Sequence, residues 1–133
     1  MYLDDVDPGG GIPPLTVAEL DAVRSQGVRI FAPPIPALLA VDSNDQVVPS
    51  QYARDIKAAG LKIITWSFER SDLRRGAANG GFYYAFDPQG RAIKKDSDMY
   101  YALDTLAQDV GILGIFSDWP ATVSFYAACA GLP

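Results

Sequence analysis

The chain has 133 residues, 49% of them hydrophobic, 11% aromatic and 20% charged. That is the size of one domain, with enough apolar residues to bury a core and too many for a disordered tail. Eleven Lys and Arg against sixteen Asp and Glu leave a net charge of −5, the wrong sign for displacing counterions from nucleic-acid phosphates. There is no histidine. The chain cannot by itself build a Ser-His-Asp or Cys-His site, a His-ligated zinc site, or any imidazole proton shuttle.

The single cysteine, Cys129, permits no internal disulfide and no thiolate-based structural metal site. Its apolar setting, Phe125-Tyr126-Ala127-Ala128-Cys129, predicts a buried, inert thiol. No stretch has the roughly 18–20 apolar residues of a membrane span. The acidic start, Met1-Tyr2-Leu3-Asp4-Asp5, lacks the basic-then-apolar order of a signal peptide. A soluble protein is expected, cytoplasmic if Met1 is its natural start.

Residues 1–14 read as an extended entry segment, because Pro8-Gly9-Gly10-Gly11 and Pro13-Pro14 favour turns over helix. Thr16-Val17-Ala18-Glu19 has the form of a capping box. It opens a predicted helix over about 17–26, stopped by Gly27. Val28-Arg29-Ile30-Phe31-Ala32, closed by Pro33-Pro34, predicts a strand. Asp42-Ser43-Asn44-Asp45 resembles the start of a calcium loop, but Val47 stands at the sixth position and Ala53 at the twelfth. Glycine and glutamate belong there, so the segment reads as an Asx turn. Ser50 caps a second helix through Ala59, and Leu61 to Phe68 is the strongest strand signal in the chain.

Phe82-Tyr83-Tyr84-Ala85-Phe86, Asp87-Pro88-Gln89-Gly90 and Arg91-Ala92-Ile93 predict a β-hairpin over about 82–93. Met99, Leu103, Leu106 and Val110 fall on one face of a helix that Gly111 ends. Ile112 to Ser117 is a third strand, and Pro120 opens a last helix through about Ala130. Helices alternating with strands imply a parallel sheet joined by right-handed crossovers. Three parallel strands are too few to close a barrel. The unpaired edges and inner face of such a fragment, with Ile30, Ile63 and Thr65 or their alternate-register neighbours exposed, lead to the expectation of self-association.

Two segments carry a family resemblance. Ala58-Ala59-Gly60-Leu61-Lys62-Ile63-Ile64-Thr65-Trp66-Ser67-Phe68-Glu69-Arg70-Ser71 resembles the seventh strand segment of glycerophosphodiester phosphodiesterases. Leu106 to Val123, with Gly114-Ile115-Phe116-Ser117-Asp118-Trp119-Pro120 at its centre, resembles their eighth strand and closing helix. The likeness runs from about residue 15 to the end. It implies an α/β fold, a partial (β/α)8 (TIM) barrel of about three parallel strands with flanking helices. Family members hydrolyse glycerophosphodiesters with a divalent metal on carboxylates and two histidines. Those motifs, beginning with a His-Arg-Gly-type sequence, lie in the first βα loops and have no counterpart here. A calcium or magnesium ion is therefore expected only if the family activity survives.

The resemblance implies substrate-binding roles for Trp66, Phe68, Arg70 and Asp118, at the mouth of the last strands. Trp66 and Phe68, two apart on a strand, are expected to share a face, with Ser67 opposite. Either residue could instead fill core. Glu69, Arg70, Asp72, Arg74 and Arg75 suit a phosphodiester or form a solvated loop of mixed charge. Asp118 is a rim carboxylate or a helix cap. Three functions stay open: a phosphodiesterase descendant without its machinery, a non-catalytic self-assembling or binding module, and a small hydrolase using Glu69, Asp72 and Asp118 with a metal.

Overall fold

The computed structural model describes residues 14–68 and 84–132, together with the backbone of Tyr2 and Leu3. Helix α1 spans Val17–Ser25 and has the expected capping box at its start. The Thr16 hydroxyl accepts from the Glu19 N–H at 3.3 Å, and the Glu19 carboxylate accepts from the Thr16 N–H at 2.7 Å. These bonds, the backbone one foremost, hold the Glu19 carboxyl below its ordinary range. Leu20 alone is buried; Glu19, Asp21 and Arg24 face solvent.

Strand β2 covers only Ile30–Phe31, shorter than the expected Val28–Ala32, because Pro33 and Pro34 have no N–H to continue a ladder. A one-turn helix α2 (Ile35–Leu38) follows, then a hairpin of β3 (Leu39–Val41) and β4 (Val47–Pro49). At its tip the Asp42 carboxylate accepts from the N–H groups of Asn44 and Gln46, both at 2.8 Å. The expected Asx turn is thus the bend of a hairpin.

Ser50 caps α3 (Gln51–Ala58), accepting from Ala53 N–H at 3.0 Å and donating to the Ala37 carbonyl at 2.7 Å. One hydroxyl joins the helix start to the preceding loop. Ser50→Ala is expected to lower stability by about 1–2 kcal/mol, as a cap and a half-buried acceptor are lost together. A thermal melt of the variant reads this directly; an unchanged midpoint contradicts it.

Strand β5 (Lys62–Phe68) is the longest among the described residues. After the segment beyond it comes a 3₁₀ turn, Asp96–Asp98, then α4 (Met99–Asp104), which widens into a π turn over Thr105–Val110. The expected stripe faces inward: Leu103, Leu106 and Val110 are buried and Met99 is half-buried against them. Gly111 ends the helix with φ 70°, a left-handed conformation that costs glycine least. Strand β6 (Gly114–Ser117) and helix α5 (Pro120–Ala130), with Pro120 in its first turn, complete the chain.

The three expected strands form a parallel sheet, and a two-residue strand β1 (Tyr2–Leu3) adds to its edge, giving the order β1-β2-β5-β6. Register places Phe31 beside Ile63 and Thr65 beside Ile115. Paired residues of parallel strands share a face. That face joins Leu20, Leu38, Ile56, Leu103 and Leu106 in the core cluster. Ile30, Ile64 and Gly114 occupy the other face.

Several expectations change. Ile63 and Thr65 are buried under the helices rather than exposed on an inner face, whereas Ile30, expected with them, and Ile64, on the alternate register, are half-exposed. Of the hairpin expected over 82–93, residues 84–93 are described and contain no strand. There Asp87 is buried, and its carboxylate gathers the chain into a loop by accepting from Arg91, Ala92 and Ile93 N–H, each at 2.8 Å. Within the expected entry segment, Tyr2 and Leu3 are strand; Met1 and residues 4–13 lie outside the described residues. Cys129 is exposed rather than buried, because α5 turns that side outward.

Candidate site at the strand ends

The chain that leaves the C-terminal end of β2 runs through α2 and the β3–β4 hairpin, residues 32–50, before α3, and the chain that leaves the C-terminal end of β5 passes beyond the described residues. In parallel β/α sheets ligands gather at those ends. Beyond the β2 ladder, an isolated parallel bridge between Pro34 and Trp66 and two side-chain bonds tie the end of β5 to the chain leaving β2. Thr65 Oγ1 donates to the Pro33 carbonyl at 2.8 Å, and Trp66 Nε1 donates to the Ala32 carbonyl at 2.7 Å. Thr65 is fully buried, whereas Trp66 is half-buried. Its indole therefore has a fixed polar anchor and a partly open ring.

Trp66 and Phe68 do not share an environment. The β5–β6 register shifts between Thr65 and Phe68, and such a bulge breaks the alternation of faces. Phe68 is buried in the core cluster, of which Trp66 is not a member. Asp118 is exposed at the end of β6, next to the strand that carries Trp66. The N-cap position of α5 is Trp119, and Ser117 Oγ accepts from the Trp119 N–H at 3.1 Å. The structure thus places Trp66 and Asp118 at the ends of adjacent strands. Arg70, with Glu69, Asp72, Arg74 and Arg75, lies outside the described residues.

Away from the strand ends, a cleft of about 490 Å³ lies where the β3–β4 hairpin meets the Asp87 loop and α4. Arg91 holds it together, bonding the Asp45 carboxylate and, at 2.8 Å, the Asp42 carbonyl. Asp98 accepts from Lys94 and Lys95 N–H, and Asp104 accepts from the Tyr126 hydroxyl at 2.6 Å. Burial, and then that bond to Asp104, push the Tyr126 phenol above its ordinary value. These carboxylates are spent on structure. Among the described residues no group of three or more His, Cys, Asp or Glu could hold a metal ion. Glu69 and Asp72, two of the three carboxylates considered for a metal, lie outside the described residues, and no metal step is assigned to this chain.

Sequence reasoning singled out neither the buried Asp87 anchor nor the Ala32 and Pro33 carbonyls. The Asp-Pro-x-Gly signal was present at 87–90, but it fits a carboxylate-capped loop as well as a hairpin.

Fold and site together define an α/β unit: a parallel sheet with helices over one face and an aromatic anchored at its C-terminal edge. Comparison with known proteins adds one relative. An Arthroderma benhamiae protein described as "Extracellular protein" is 47% identical over 136 residues, covering 99% of this chain and 54% of the relative. The chain thus spans about half the length of the curated relative it matches. No protein-family model and no solved structure matches it. Among the described residues, no helix is long and apolar enough to cross a membrane.

Proposed function

We propose that the chain is the C-terminal βα half of a glycerophosphodiester phosphodiesterase-like barrel, and that it forms a wall of a phosphodiester pocket without turnover of its own. The observation that carries this is Trp66: a half-buried indole, pinned through Nε1 to the Ala32 carbonyl, at the C-terminal end of the longest parallel strand. In this role the indole packs against the glycerol or alcohol part of the substrate. Asp118 stands at the rim beside it, Arg70 meets the phosphate, and Phe68 supports the strand end from the core.

Turnover is assigned elsewhere because the chain has no histidine to serve as acid and base near neutral pH. The description of the relative as an extracellular protein supports an extracellular location over the cytoplasmic one read from Met1.

The test pairs an assay with a titration. Glycerophosphocholine supplied with Ca²⁺ or Mg²⁺ is expected to release no glycerol phosphate above the metal-only blank. Glycerol 3-phosphate is expected to bind in a calorimetric titration, and Trp66→Ala to weaken that binding about tenfold or more, about 1.4 kcal/mol per decade. Metal-dependent turnover by the chain alone, or binding indifferent to Trp66, overturns the proposal.

A further inference from the structure

We infer that the cleft between the β3–β4 hairpin, the Asp87 loop and α4 is a binding site for a short neutral oligosaccharide, with the Tyr101 ring as its platform. The inference goes beyond the phosphodiester reading and does not rest on it, because the cleft lies away from Trp66 and the strand ends.

The first observation is that the walls are held by the fold's own bonds. Asp42 closes the hairpin bend, and Asp87 gathers its loop through three N–H groups. Arg91 then joins that loop to the hairpin, bonding the Asp42 carbonyl at 2.8 Å and the Asp45 carboxylate. On the other side, Thr105 Oγ1 donates to the Val47 carbonyl at 3.2 Å, which fastens the hairpin to the helix. No ligand is needed to shape such a cleft, and little ordering is left for one to impose. Its volume of about 490 Å³ is that of a small-molecule site.

The second observation is the division of the lining into engaged and open groups. Asp45 is paired with Arg91, Asp98 accepts from the Lys94 and Lys95 N–H groups, and Asp104 accepts from the Tyr126 hydroxyl. Among the described residues, nothing hydrogen-bonds or pairs with the side chains of Lys94, Tyr101 and Asp109, which also line the cleft. All three are exposed, Tyr101 by 64%. The cleft therefore offers a ligand one donor cation, one acceptor carboxylate, and a phenol that does both beside a flat apolar ring.

These open groups select the ligand. An anion would meet four carboxylates against two cations, a repulsive balance at short range. A cation would find three of those carboxylates engaged and the Lys94 ammonium beside it. An apolar molecule would strip water from charged walls without replacing its hydrogen bonds. A sugar ring has no charge, hydroxyls that both donate and accept, and a C–H face that lies against an aromatic ring. It uses Lys94, Asp109 and Tyr101 together.

The test is calorimetric titration of the chain with cellotetraose, maltotetraose and N-acetylchitotetraose. At least one is expected to bind with a Kd below about 1 mM. Tyr101→Ala is expected to weaken that binding about tenfold or more, and Tyr101→Phe, which keeps the ring, to stay within about threefold of wild type. Lys94→Ala and Asp109→Ala are expected to weaken it severalfold. Because these side chains are exposed, the variants are expected to melt with the wild type. Tetragalacturonic acid, an anionic oligosaccharide, is expected to bind at least about tenfold more weakly than the neutral ligand. Trp66→Ala is expected to leave saccharide binding unchanged. The inference is overturned if none of the three neutral probes binds, if binding is indifferent to Tyr101→Ala, or if tetragalacturonic acid or spermidine binds more tightly than they do. Saccharide binding lost in Trp66→Ala also overturns it, since the sugar then sits at the strand ends and the phosphodiester reading is left standing.

Discussion

Phe31→Ala is expected to lower the stability of the chain by about 3–5 kcal/mol, the range for removing a fully buried phenylalanine. Phe31 has no solvent exposure, lies on the covered face beside Ile63, and meets the Tyr52 ring edge-on at 6.2 Å. Strand β2 has two residues, and Phe31 is the one that faces the core. Its loss frees the strand and the Tyr52 face of α3 at once, with no neighbour able to fill the space. Since single domains have about 5–15 kcal/mol in all, much of the population unfolds at physiological temperature. Urea unfolding of the variant measures this, and a loss below about 1 kcal/mol contradicts the packing described here.

Asp87→Ala is expected to cost about 3 kcal/mol near neutral pH, through three backbone N–H groups left without their acceptor. The carboxylate is buried, which by itself raises its pKa. The bonds from Ile93, Arg91 and Ala92 N–H and the charge of Arg91 outweigh that and hold it below the ordinary value of 3.8. A carboxyl that binds its proton less readily when folded stabilises the protein above its unfolded pKa. The contribution is full well above 3.8, declines as pH falls through 3.8, and is gone below the lowered folded value. Wild-type stability therefore falls across this acid window, and Asp87→Ala falls less steeply there. Parallel acid titrations, followed by circular dichroism, are expected to converge; curves that stay equally far apart at all pH values contradict the assigned role of Asp87.

How much was legible in the sequence follows from how local each signal is. The α1 capping box, the Ser50 cap, the inward stripe on α4 and the Pro120 start of α5 each depend on residues within a turn of one another. All appear as expected. The alternation of three parallel strands with helices was equally clear, because β-branched runs between proline and glycine leave few choices. The hairpins were exchanged. Aromatic residues around Asp-Pro-x-Gly imitate strands, yet Asp87 satisfies its own loop. The real strands at Leu39–Val41 and Val47–Pro49 are three residues each, too short for period two to show. The shared face expected of Trp66 and Phe68 failed for a similar reason. A bulge is fixed by the neighbouring strand, and nothing in Trp-Ser-Phe announces it. Cys129 turned outward because burial depends on what covers α5. Composition alone made it look like core.

At the site, the sequence supplied the residues but not their anchoring. Trp66 stood out as an aromatic at a strand end. Its hold on the Ala32 carbonyl needed the pairing of β2 with β5 to be seen. That hold fixes the orientation of the indole at the strand end.

The central proposal is that this chain supplies a substrate wall and depends on a second half for turnover. Hydrolysis of glycerophosphocholine by a chimera of the A. benhamiae relative that carries this chain in place of its matched part, with Ca²⁺ or Mg²⁺ present, tests it most directly. The expected result is metal-dependent release of glycerol phosphate from the chimera and none from the isolated chain, with Trp66→Ala in the chimera reducing kcat/KM about tenfold or more. A folded chimera that releases no glycerol phosphate, or one whose turnover is untouched by Trp66→Ala, contradicts it.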